Sequence, residues 1–468
     1  MIILYYQGDE DMENLDSKII RYINVDTMAD PNSSTTPSNP GIKTLAQMLL
    51  TELRSYNIIK QAGIYNSNGG YFVCAKIMPN QTSVNIPVIG FIAHMDTSYR
   101  YPGTPDPIIV NGADTLINKY EIDIRQSAFT EQEFNEWLAK GILVSNNPFT
   151  LLGVKDKAGI AEIMGMIEYL QENPSILHGQ INICFTADAE LGKSMRSIEK
   201  QGTVVQSTNS AGNLLWRDPS TGNTTIVHSS GLEPVTTLNG GFVDADLAYM
   251  VDAPGQTHVQ YNNFNISEME ITFTGERVQG GFDEDAVINA IKNACVYVGK
   301  VVESNTALTV DSGNGYVFVK SLEGDYLKAT LTISIRDLNY DNVVSMMDTL
   351  ENTLQRMPFY IKDMITVKRT DLYNNVRSKI PYSVIDLAIK SNTDLYNRGC
   401  ITIPISNGYA AAELTNKGIP TVSISCGGYN FYTYHDCIPL PALDNCRDVL
   451  VNIVKNSYTY DFNDDFVD

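Results

Sequence analysis

Four continuous apolar runs constrain this chain more than any other feature. They are IPVIGFIAH (86–94), GQINICF (179–185), LAYMV (247–251) and IPTVSISC (419–426). A run without polar alternation suits a strand buried on both faces, the situation of a parallel sheet covered by helices. Helical spacing appears between them. Ile42, Leu45, Leu49 and Leu53 form one series, and Ile160, Ile163, Met164 and Ile167 a second, amphipathic one. Strands alternating with helices predict an α/β domain with a mostly parallel sheet flanked by helices.

The texture changes in the middle of the chain. SEMEITFTG and KATLTISIRD alternate with a period of two, as half-exposed strands do. Each stands near a helical stretch, one at about 285–298 and one carrying Val343, Val344, Met347, Leu350 and Leu354. This predicts a smaller α+β domain at 263–371, inserted into a larger domain made of 1–262 and 372–468. The segment 193–240 is rich in Gly, Ser, Thr and Asn and reads as a surface insertion with room for a hairpin.

Composition removes several function classes. With 54 acidic against 33 basic residues the formal charge is −21. Such a chain repels nucleic acid and anionic membrane surfaces. Seven scattered cysteines without a CxxC pair argue against a disulfide framework and suit a reducing compartment. No run approaches the roughly 20 apolar residues of a membrane span, and the opening MIILYY is too short for a secretory leader. The expectation is a cytoplasmic protein. No Walker-type loop, GxGxxG or GxSxG supports a nucleotide-binding or serine-nucleophile enzyme.

In open α/β sheets, sites lie beyond the carboxyl ends of the strands. His94, Met95 and Asp96 follow the first run; Thr186 to Glu190 follow the second; Asp252 follows the third; GGYNFYTYHD, with His435 and Asp436, follows the fourth. Two imidazoles and several carboxylates converge on one edge, and such N/O donors suit zinc. The H-x-D step lets Asp96 orient His94. Singly, each has an ordinary reading: Asp252 caps a loop, and His435 is a surface histidine beside tyrosines. The joint pattern carries the metal reading.

The markers IGFIAHMDTS, TLLGVKDKAGIAEIM, FTADAELGKS, YMVDA, NNFN, ISIRD and GGYN…YH run in order along nearly the whole chain. In them the chain resembles the peptidase T family, tripeptide aminopeptidases within the di-zinc aminopeptidase and carboxypeptidase superfamily. The resemblance implies a zinc-binding α/β catalytic domain with an inserted lid. It places the first zinc's histidine at His94 and its aspartate at Asp252, with Asp96 orienting the imidazole. The second zinc's ligands fall at Glu190 and His435. Asn263 and Arg336 fall at substrate-binding positions.

Several departures accompany the match. Where the family reads GADDKAG, this chain reads GVKDKAG, so the bridging aspartate is Lys155. A protonated amine has no lone pair to give a metal. Where the family reads DEE, this chain reads DAE, so the general-base glutamate is Ala189. The lid histidine aligns with Gln279, and an arginine that holds substrate aligns with Ser406. Changing aspartate to lysine adds two charges, the charge of one Zn²⁺. Lys155 is therefore expected to stand as the positive centre, hydrogen-bonded to one or more of Asp96, Glu190 and Asp252. A one-residue shift that brings Asp156 and Asp188 in as substitutes is not expected, because neighbours in an extended loop point opposite ways. The implied function is a peptidase T-like protein with impaired or lost hydrolysis that retains short peptides as ligands. The alternatives are an active metallopeptidase with a rearranged or single-zinc centre, and a non-catalytic scaffold using the 193–240 segment. Zinc is expected from the family, with one ion or none here. The oligomeric state stays open.

Overall fold

The computed structural model describes residues 13–67, 70–81, 86–101, 104–195, 215–217, 224–226, 245–276, 288–304, 315–359, 361–405, 410–460 and 462. They divide into two compact units. One lies within Met1–Gln260, Lys379–Thr402 and Glu413–Asp468, the other within Tyr261–Ser378 and Ile403–Ala412.

The first unit is built on a seven-stranded sheet. Its strands are β1 (Ile59–Ser67), β2 (Gly70–Ile77), β3 (Ile89–His94), β4 (Ile181–Thr186), β5 (Leu247–Ala253), β6 (Val259–Gln260) and β7 (Thr421–Ser425), in spatial order β1-β2-β4-β3-β5-β7-β6. The four apolar runs are the four central strands. They pair in parallel, β3 with β4 and β5, and β5 with β7. The hairpin β1–β2 and the short β6 add antiparallel edges. All four parallel strands therefore end on one side, which delivers His94, the turn after Thr186, Asp252 and Cys426 to the same edge.

Helices of this unit include α1 (Leu15–Ile23), α2 (Pro40–Ser55), α3 (Val154–Glu172) and α4 (Leu440–Ser457). The predicted periodic positions of α2, Ile42, Leu45, Leu49 and Leu53, are all buried. In α3 the structure differs from the amphipathic expectation: 15 of its 19 residues are buried, polar ones included. It is a central helix packed against β3, β5, α1 and α4. Gly159 makes its contact with β5 possible, since a Cβ there would collide with the Val251 carbonyl oxygen. Helices α1, α2 and α3 are tied by a buried ionic cluster. Lys18 Nζ lies 2.7 Å from Glu52 Oε1 and 2.8 Å from Glu168 Oε1. Arg21 and Tyr22 donate to Glu52 Oε2, each at 2.8 Å.

In the second unit, four antiparallel strands run in the order Tyr316–Gly324, Lys328–Asp337, Asn265–Thr274, Ile365–Tyr373. The alternation read from sequence places Met269, Ile271, Phe273, Leu331, Ile333 and Ile335 in one core. Helices Ala290–Ser304 and Tyr340–Gln355 cover that face with Tyr297, Val343, Met347 and Leu350. The first helix starts later than the expected 285, a position outside the described residues. Within 193–240 the described residues include one antiparallel ladder, Leu215–Arg217 with Thr224–Ile226. No helix among the described residues is long and apolar enough to cross a membrane.

Candidate functional site

His94 closes β3 and is buried, with Nδ1 3.0 Å from the Asp96 main-chain oxygen. The expected carboxylate contact is the longer one, 3.5 Å to Asp96 Oδ1. Asp96 itself has another task. Its Oδ1 accepts the N–H of Ala189 at 3.0 Å and its Oδ2 that of Glu190 at 2.8 Å. The turn after β4 thus hangs from the end of β3, which fixes where Glu190 points.

Lys155 comes from the first turn of α3. Gly153, at φ +82°, lets the chain turn into the helix. The N–H groups of Gly153 and Val154 donate to buried Asp436 Oδ2 at 2.9 and 3.1 Å, so an aspartate far along the sequence caps the helix start. The Lys155 side chain, 17% exposed, reaches His94 Nε2 at 2.9 Å and Glu190 Oε1 at 3.1 Å, and lies 3.6 Å from Asp156 Oδ1. Tyr432 donates to the same Glu190 Oε1 at 2.9 Å, its ring 5.4 Å from the ammonium. Burial alone would lower the lysine pKa. The charges of Glu190, Asp156 and Asp252, with the Tyr432 hydroxyl beside them, outweigh burial and hold it well above the ordinary lysine value.

For Asp156, though not for Asp188, the expectation is overturned. Asp156 does enter the centre, with Oδ1 3.3 Å from His94 Nε2. Residues 154–157 form a helical turn, not the extended loop in which neighbours point opposite ways. Neighbours on a helix are only about 100° apart, so Lys155 and Asp156 can address one point. Burial pushes Asp156 up to about 6. Its Oδ1 has no hydrogen bond. Asp188 stays out, its carboxylate accepting from Ser38 N and Oγ. Next in the helix, Lys157 is buried and donates to Thr27 Oγ1 and the Met95 carbonyl, and burial lowers it to about 8.

The remaining candidates are dispersed. Asp252 ends β5 and acts on Lys155 through its charge. His435 has Nδ1 3.2 Å from the Tyr120 carbonyl oxygen. In the second unit Asn263 is buried, donating to the carbonyls of Phe264 and Asn374 and accepting from Val376 N–H. The Arg336 guanidinium lies over the Tyr316 ring. Gln279 and Ser406 lie outside the described residues. Sequence reasoning set Asp156 aside and missed Lys157, Tyr432 and the capping role of Asp436; the adjacency of Asp436 to His435 is the one available signal.

The donor set tests whether two zinc ions fit. Among the described residues one group brings three donor atoms within 4.8 Å of one another, namely His94, Asp156 and Glu190. Asp252 and His435 are not in it, and an ammonium already reaches into it. Among the described residues no second group of three donors stands beside it for a second ion.

No family model matches the chain. It is 29% identical over 444 residues to peptidase T of Bacillus licheniformis, covering 94% of this chain and 97% of that protein. Its fold is similar to that of aminopeptidase PepT from Bacillus cereus, at TM-score 0.64 and 16% identity over 95% and 98% of the two chains. It is also similar to the Bacillus subtilis YXEP protein, described as a dinuclear metal-binding peptidase, at TM-score 0.52 and 10% identity over 95% and 100%.

Proposed function

The chain is peptidase T-like over nearly its whole length, and from that premise we propose that it binds short peptides but has lost most or all of the tripeptide aminopeptidase chemistry. One observation carries this reading: Glu190 Oε1 is already held by both Lys155 Nζ and Tyr432 Oη. The neighbouring side chain, where a general base is expected, is the methyl group of Ala189. Losing a positioned base costs about 10² to 10⁴ in rate. Hydrolysis also needs a water made nucleophilic, and the one three-donor group among the described residues already has an ammonium among its donors. What remains is recognition: buried charges, Tyr432 at the rim, and the loops that carry them.

The experiment is a cleavage assay beside a binding assay. Purified protein supplied with zinc should release no N-terminal residue from a tripeptide above background, while calorimetry with the same tripeptide registers binding. Turnover comparable to that of a peptidase T would overturn the reading.

A second reading has one observation in its favour. Asp156 Oδ1 faces His94 without a hydrogen bond, and with Glu190 could hold a single ion for a slow, rearranged peptidase. That reading requires zinc on the unaltered protein and activity removed by a chelator.

A further inference from the structure

We propose that Lys155 is a built-in cation that occupies a one-metal site made of His94, Asp156 and Glu190, and that the site admits a divalent ion only when the lysine is removed.

The three donor atoms lie within 4.8 Å of one another. Zinc binds nitrogen and oxygen donors at about 2.0–2.2 Å, which sets the ligand atoms of one tetrahedral ion about 3.4 Å apart; His94 Nε2 and Asp156 Oδ1, at 3.3 Å, already stand so. Lys155 Nζ stands 2.9, 3.1 and 3.6 Å from His94 Nε2, Glu190 Oε1 and Asp156 Oδ1. Those are hydrogen-bond and ion-pair separations, longer than coordination bonds, with the ammonium placed among the same donors. An ion cannot enter without displacing it.

The details of each donor agree. An ammonium only donates, so His94 Nε2 must present its lone pair. Nδ1–H then points to the Asp96 carbonyl oxygen at 3.0 Å. This is the tautomer a metal-bound histidine adopts, with the far nitrogen tied to an acceptor. Asp156 Oδ1 is buried and lacks a hydrogen bond. It is the atom whose valence an ion would complete and the ammonium, at 3.6 Å, leaves open. One histidine and two carboxylates match the three-protein-ligand pattern of open zinc sites. The ligand set differs from the one carried over from the family, because Asp156 supplies what position 155 no longer can.

The test counts metal, independently of turnover. Full-length protein is loaded with zinc chloride, dialysed into metal-free buffer, and its zinc per chain measured by plasma mass spectrometry. Wild type should retain none, Lys155→Ala one, and Lys155→Ala with Asp156→Asn none. Zinc should also raise the melting temperature of Lys155→Ala and leave that of wild type unmoved. Should Lys155→Ala fold poorly, Lys155→Met, which keeps the apolar stem without the charge, carries the same comparison. Zinc retained by wild type, no zinc on either lysine variant, or equal retention with and without Asp156 would each overturn the proposal. It rests on the proposed function only for the ancestry of the site. Peptide cleavage by a metal-free wild type would sink that function and leave the metal exclusion standing.

Discussion

Lys155 Nζ stands 2.9 Å from His94 Nε2 while His94 Nδ1 stands 3.0 Å from the Asp96 carbonyl oxygen. Burial and the Lys155 charge oppose a second proton on His94, while Asp156 and Asp96 favour one and on balance raise its pKa. The ammonium at 2.9 Å can only donate, so we take the ring as neutral and protonated on Nδ1. Long-range ¹H–¹⁵N correlation spectra should therefore show an acceptor-type Nε2 and a pyrrole-type Nδ1 for His94. Lys155→Met should shift the Nε2 resonance away from its hydrogen-bonded position. A doubly protonated ring in the wild type at neutral pH would contradict the arrangement.

Restoring the base alone should not restore hydrolysis. Ala189→Glu adds a carboxylate beside Glu190 but leaves the ammonium in the centre. Lys155→Asp combined with Ala189→Glu should raise tripeptide cleavage over Lys155→Asp alone by about 10² to 10⁴, and a chelator should abolish the gain. Initial rates of N-terminal residue release with a fixed tripeptide measure this.

Acid should loosen α1 from α2 and α3. Burial on its own would raise the Glu52 pKa, but the donors Lys18, Arg21 and Tyr22 outweigh it and hold the carboxyl below the ordinary glutamate value. A depressed carboxyl contributes stability that is complete above its unfolded pKa and is lost as pH falls through its folded one. Denaturation midpoints should therefore decline on acidification below the ordinary glutamate range. Glu52→Gln should flatten that decline and cost about 1–3 kcal/mol at neutral pH, the worth of charged hydrogen bonds, since Lys18 keeps Glu168 at 2.8 Å.

The close seat of α3 on β5 predicts an intolerant glycine. In Gly159→Ala the new methyl group would collide with the Val251 carbonyl oxygen, so helix and strand must part. Such overpacking costs about 1–3 kcal/mol or more. The stability read from urea unfolding should fall by that amount. Gly165→Ala should cost less, because its nearest obstacle is the Leu15 side chain at 2.5 Å rather than backbone.

The four parallel strands were legible because each buries both faces and so carries an unbroken apolar run. Their shared carboxyl edge followed from topology, and with it the meeting of His94 and Glu190. What escaped was angular. Nothing in GVKDKAG announces that the helix begins at Val154, and that onset decides whether Asp156 turns toward His94 or away. Tyr432 escaped for a similar reason. It adopts φ +60°, a left-handed backbone rare for a bulky residue, and from that turn its hydroxyl reaches Glu190. Helix α3 differs in the other direction: its apolar series predicts one buried stripe, whereas Lys157, Glu162 and Glu168 are buried as well.

The two loops that supply the centre are each held from elsewhere: the Glu190 turn by Asp96, the Lys155 turn by Asp436. Both grips act on main-chain N–H groups, which every residue but proline possesses. The side chains between them can therefore be exchanged without disturbing what positions them. In evolutionary terms the socket is heritable apart from its contents. A lineage could trade a metal for a lysine by point substitution, keep a foldable protein at each step, and by the same route trade back.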